Sequence, residues 1–267
     1  MVIQQIDIKG LWNGVADICW KSVDPKVNIL VGNNGSGKST LLKILQLLLS
    51  GDAKAIKGIE KVTLQTTSGN VVFEEKAKPQ IIGTSFEVHY VNTFDIPSSK
   101  KSAQSQLTQQ LDTLLYQRQK GVYSFTDYRL SMTNPDLDNV SQSRIDDLFS
   151  IVNELFSTTG KTIRINERNE IVFDKKTTVL TLEQLSSGEK QMLILLFTVF
   201  LMKQRSSVLL LDEPEISLHM AWQDKLIENL LAINPNCQIF LTTHSPNIFA
   251  DGWGDKLVFM GNIMQEK

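Results

Sequence analysis

Apolar side chains recur along this chain with two different periods, and the changes of period mark out its elements. Residues 1–21 alternate apolar and polar positions around Gly10 and Gly14, which predicts two strands joined by a turn. Pro25 precedes a short apolar run at residues 26–31, the pattern of a buried strand. Residues 40–49 are apolar on most sides and close at Ser50 and Gly51, as expected of a helix packed deep against a sheet. Strand patterns return at residues 61–65, 70–74 and 85–92.

From residue 98 the character changes. Residues 100–119 are polar and glutamine-rich, with Leu107, Leu111, Leu114 and Leu115 at helical spacing. Residues 121–140 read as irregular, residues 144–156 as a second helix, and residues 162–166 and 170–174 as a hairpin about Arg168 and Asn169. After Leu182 come a very apolar helix, a strand at 208–211, a helix at about 219–233, a strand at 238–243 and a last strand near 256–260. Strands alternating with helices predict an α/β fold with a mixed, largely parallel sheet. The polar stretch predicts a mostly helical lobe, residues 98–160, inserted between core segments 1–97 and 161–267.

Bulk properties narrow the classes. With 267 residues there is room for one large α/β domain with an insertion, and not for a second catalytic domain. Hydrophobic residues at 42% and charged residues at 21% fit a folded globular protein. The longest apolar run, residues 192–202 with Thr198 inside it, is far short of the ~20 residues of a membrane span, so no membrane insertion is expected. The first nine residues lack a secretory pattern, which predicts a cytoplasmic chain. Cys19 and Cys237 have no metal spacing and are expected as buried, reduced thiols. A formal charge of −2 gives no support to nucleic-acid binding, though a local basic patch stays open.

Four short motifs carry chemistry. Gly32, Asn33, Asn34, Gly35, Ser36, Gly37, Lys38 and Ser39, followed by Thr40, match the phosphate-loop pattern in full, between a strand and a helix. Backbone N–H groups there can wrap phosphates, Lys38 can reach the β and γ oxygens, and Ser39 can ligate magnesium. The apolar strand at 208–211 ends in Asp212 and Glu213, with Pro214 behind them. Asp212 suits the shell of a magnesium ion and Glu213 a base for an attacking water. Ser186, Ser187, Gly188 and Glu189 open the apolar helix with a capping box, and a helix start of that kind is also an anion site. His244 ends the strand at 238–243, where an imidazole faces a site rather than the core.

In this order the four motifs resemble those of the ABC-type ATPases. Leu185 to Gln191 is similar to that family's signature motif, and His244 is similar to its switch histidine. Asp212 to His219 and Thr242 to Pro246 look most like the AAA-type branch that includes OLD, RecF and SMC-related ATPases. The resemblance implies ATP and Mg²⁺ as ligands and catalytic roles for Lys38, Glu213 and His244. It also implies a γ-phosphate contact from the signature of an opposite subunit. Two departures stand out. Ile216 to His219 replace the sequence usual in transporter ATPases, and the edge strand ending near Asn92 lacks the family glutamine. Asn92 and Asp95 are both open as its replacement, and Trp12 is open between an adenine contact and a core aromatic.

The function this implies is ATP hydrolysis coupled to head-to-tail self-association, as a dimer or higher oligomer. It would control an effector protein such as a nuclease, in DNA maintenance or in defence against phage or foreign DNA. An energy-coupling subunit of a membrane transporter and a nucleotide-gated scaffold are the alternatives.

Overall fold

The computed structural model describes residues 2–75, 80–81, 87–92, 105–116, 123–134 and 139–267. In chain order it begins with β1 (Ile3–Gly10), a turn α1 (Leu11–Gly14), β2 (Ala16–Trp20), β3 (Val27–Val31) and α2 (Lys38–Leu49). Then come β4 (Lys61–Thr66), β5 (Gly69–Glu74), β6 (Gln80–Ile81), β7 (Val88–Asn92), α3 (Gln106–Leu115), α4 (Phe125–Ser131) and α5 (Gln142–Phe156). A small sheet of β8 (Thr162–Ile165), β9 (Ile171–Lys175) and β10 (Thr178–Leu180) leads to α6 (Ser187–Leu201) and β11 (Ser207–Asp212). The chain closes with α7 (Met220–Gln223), α8 (Leu226–Ile233), β12 (Cys237–Thr242), α9 (Asn247–Ala250), β13 (Leu257–Phe259), α10 (Met260–Ile263) and β14 (Met264–Glu266).

These elements form two compact units. The first comprises Met1–Asn92, Arg205–Pro214 and Asn236–Lys267, and the second Thr93–Gln204 and Glu215–Pro235. In the first unit a fully parallel sheet runs in the order β13-β3-β12-β11-β7. Every residue of β11 and β12 is buried, which is why their centres, residues 208–211 and 239–241, read as apolar runs. An antiparallel sheet, β14-β2-β1-β4-β5-β6, takes up the amino-terminal strands. Alternation decides which side faces inward: Ala16, Ile18 and Trp20 of β2 are buried, while Asp17 and Cys19 share the other face. Cys19 is therefore only half-buried, contrary to the expectation of a buried thiol, whereas Cys237 is buried and burial pushes its thiol up to about 11. The apolar face of α2 joins both sheets in one core through Leu41, Leu42, Leu45 and Leu48.

The second unit is built around α6, in which every residue from Glu189 to Leu201 is buried. Phe197 meets Phe125 edge-on at 5.2 Å, and Phe200 meets Tyr128 at 4.5 Å. The indole of Trp222 stacks on Phe156 at 5.3 Å and donates to the Leu155 carbonyl. Two elements differ from the sequence reading. α4 lies in the stretch expected to be irregular, seeded by a capping box between Ser124 and Asp127. The helix expected at 219–233 divides into α7 and α8, because Lys225 leaves helical geometry at φ −99° and ψ 2°. No helix among the described residues is long and apolar enough to cross a membrane.

Candidate functional site

The carboxyl ends of β3, β12 and β11, neighbours in the parallel sheet, deliver the phosphate loop, His244 and the Asp212–Glu213 pair to one place. That is where a parallel sheet presents ligand sites. The loop from Asn34 to Thr40, with Glu213 and His244, lines a cleft of about 520 Å³. Gly37 caps α2 in the left-handed region at φ 88°, and a Cβ there would lie 2.9 Å from Met264 and 3.3 Å from the Trp12 ring. Only glycine meets both demands. Lys38 is 5% exposed, and its Nζ donates to the carbonyls of Gly32 at 2.9 Å and Asn33 at 3.2 Å. An ammonium has three donors, so one remains for a ligand. Ser36 Oγ is buried with no hydrogen-bond partner among the described residues, a donor in want of an anion.

Asp212 is 4% exposed and is held by hydroxyls from three elements. Ser39 Oγ donates to its Oδ1 at 2.9 Å, Thr242 Oγ1 to the same oxygen at 2.6 Å, and the Tyr90 phenol to Oδ2 at 3.2 Å. Burial pushes the Tyr90 phenol well up, and the Asp212 charge adds to this, so Tyr90 stays a donor. The roles of Thr242 and Tyr90 toward Asp212 are not legible from sequence, because they depend on strand register. Parallel pairing sets Asp212 beside Thr242 on β12 and beside the backbone of Asn92 on β7. Asp95 lies outside the described residues.

Glu213 follows at φ 48°, a left-handed conformation that is costly for a residue with a side chain. Its N–H compensates by donating to Thr242 at both Oγ1 and the carbonyl, at 3.0 and 3.1 Å. The turn brings the Glu213 carboxylate to 3.5 Å from His244 Nε2. Trp12, one of two adjacent non-glycine residues in the left-handed region with Asn13, is 37% exposed and so is not a core aromatic. It lines a second cavity of about 580 Å³ with Ser39, Thr40, Lys43 and Tyr90.

Ser186, Ser187, Gly188 and Glu189 belong to the second unit, at the start of α6. Ser186 Oγ accepts from the Glu189 N–H at 3.3 Å, and Glu189 Oε2 accepts from the Ser186 N–H at 2.8 Å. Lys161, which sequence reading passed over, donates to both carboxylate oxygens of Glu189 at 2.5 and 2.7 Å. Burial pushes the Glu189 carboxyl up, but Lys161 and the Ser186 N–H outweigh it and hold it below its ordinary value.

The family "AAA domain, putative AbiEii toxin, Type IV TA system" matches residues 27–120 and 109–251. Septu protein PtuA of Bacillus mycoides (strain KBAB4) is 24% identical over 248 residues, covering 82% of this chain and 34% of PtuA. A retron Ec83 probable ATPase of Escherichia coli is 32% identical over 90 residues, covering 30% of this chain and 17% of that protein. The chain thus spans well under two thirds of these relatives. In fold it is similar to an SMC head solved bound to the C-winged helix domain of ScpA, with TM-score 0.62 and 15% identity over 94% of this chain and 92% of that one. The SMC head domain from Thermotoga maritima gives TM-score 0.52 and 16% identity, covering 94% of this chain and 92% of that one.

Proposed function

This chain belongs to the AAA-domain family described as putative AbiEii toxin of a type IV TA system, and on that premise we propose that it binds and hydrolyses ATP and thereby controls a partner. It is an ATPase of the ABC and AAA type resembling SMC heads in fold. The observation that carries the reading is the convergence of Lys38, Ser39, Asp212, Glu213 and His244 at three adjacent strand ends.

The donors fit a hard cation, since Ser39 Oγ and the Asp212 carboxylate are both oxygen ligands 2.9 Å apart. Magnesium held by these two would neutralise charge on the β and γ oxygens. Lys38 binds those same phosphates through its remaining N–H. The Glu213 carboxylate takes a proton from the attacking water, and His244, beside it, donates to the γ-phosphate. Trp12 offers an exposed ring next to the loop for the base. The start of α6 offers Ser186, Ser187 and Gly188 to the γ-phosphate held by a second copy, so that ATP closes a head-to-tail dimer. The lobe of residues 98–160 recognises the effector, of which a nuclease is one kind. The toxin–antitoxin family name and the Septu and retron names of the relatives support a setting of defence in the cytoplasm.

Glu213→Gln tests this. ATP should still bind, hydrolysis should fall by roughly 10² or more, and a dimer should accumulate in magnesium and ATP by light scattering. Lys38→Ala should abolish ATP binding by calorimetry. Hydrolysis at the parental rate by Glu213→Gln, or unchanged ATP affinity in Lys38→Ala, would refute the assignment.

A further inference from the structure

We propose that Lys161 tunes the charge of the signature turn, cancelling the Glu189 carboxylate so that the start of α6 can receive a phosphate from a second copy of the chain. The proposal rests on the head-to-tail reading above.

The local structure explains how a lysine reaches that position. α5 ends at Phe156, a 3₁₀ turn follows, and Gly160 at φ 66° reverses the chain. The Lys161 N–H closes this turn on the Phe156 carbonyl at 3.2 Å and starts the approach to β8. Its side chain then runs inward and is 9% exposed, against 2% for Glu189. The ammonium contacts both carboxylate oxygens, so the pair is bidentate and shielded from water.

Capping the helix alone does not call for so deeply buried a pair. In an ordinary capping box the glutamate lies at the surface and its charge favours the positive end of the helix. Here Glu189 is buried, in the first turn of a helix whose remaining N–H groups would face a γ-phosphate. An uncancelled carboxylate would repel that phosphate with little screening, because the charge is buried. Lys161 removes the repulsion and leaves the Ser186–Glu189 hydrogen bonds in place.

The test separates charge from structure by breaking the same ion pair from each side, in a Glu213→Gln background with magnesium and ATP. Lys161→Met leaves a net negative charge and should weaken the dimer about tenfold or more by sedimentation. Glu189→Gln keeps an acceptor for the Ser186 N–H, leaves a net positive charge and should tighten the dimer. The double variant should return to near the parental affinity. A merely structural ion pair moves both single variants in the same direction, and that result overturns the proposal. Should Lys161→Met not fold, the sign of the Glu189→Gln effect decides alone. A background protein that ignores ATP overturns the head-to-tail reading and this proposal with it. An ATP-dependent background dimer unaffected by Lys161→Met overturns only the proposal.

Discussion

Replacing Gly188 by alanine sets two physical effects against each other. Gly188 is the second residue of α6, and helix propensity alone favours alanine there by about 0.5–1 kcal/mol. The structure points the other way. A Cβ on Gly188 would lie 2.4 Å from the Ser217 carbonyl oxygen, with the Trp222 ring at 3.9 Å behind it. Relief needs a backbone shift of about 1 Å, and the neighbouring backbone is tied down. The Leu218 N–H donates to Glu215 at 3.0 Å, and Gln223 Nε2 donates to the Leu218 carbonyl at 3.0 Å. Overpacking of this kind costs about 1–3 kcal/mol, so the net loss should be about 1 kcal/mol, or about 2–4 °C in melting temperature. Gly261→Ala in α10, where nothing lies within 4 Å of the added carbon, serves as the control and should hold or raise the midpoint. Urea and thermal unfolding by circular dichroism read both. Gly188→Ala as stable as the parent would show that the close approach to Ser217 does not constrain the signature turn.

Two further expectations concern buried polar groups. Tyr90→Phe removes a donor from Asp212 and should destabilise by about 1–2 kcal/mol, with a smaller loss in an Asp212→Asn background; equal losses by urea titration would break the link. Gln191→Met should raise stability by about 1 kcal/mol or more, because the Gln191 amide is fully buried with neither atom hydrogen-bonded among the described residues; a lower unfolding midpoint would contradict this.

What could be read from sequence here was local, and what could not was a matter of pairing. The phosphate loop is one contiguous segment between a strand and a helix, so its place on β3 and α2 followed from eight residues. β11 and β12 were legible because burial on both faces leaves apolar stretches at their centres, residues 208–211 and 239–241. α4 was missed although Ser124 and Asp127 carry a capping signal, because only seven residues follow before the helix ends. The antiparallel sheet of β1, β2, β4, β5, β6 and β14 was not distinguished from the parallel one, since alternation marks a strand and not its neighbour. The contacts that Thr242, Tyr90 and Lys161 make went unread for the same reason. Each acts on a carboxylate at least 28 residues away in sequence, and only the folded register or turn brings it there.

The two buried carboxylates among the described residues show how neighbours assign opposite duties to similar groups. Asp212 accepts from the neutral hydroxyls of Ser39, Thr242 and Tyr90, which orient its two oxygens. A hydroxyl that donates its proton keeps its lone pairs, so Ser39 can serve Asp212 and a cation together without changing its bond to Asp212. That arrangement suits a dication, because hard oxygen ligands converge at the point where the positive ligand must sit. Glu189 is paired with an ammonium instead, and its charge is spent inside the protein. Exchanging the two environments would leave a neutralised metal site and a repelling phosphate site. The neutral donors at Asp212 and the cation at Glu189 therefore each match the sign of the ligand proposed beside them, magnesium in one case and a phosphate in the other.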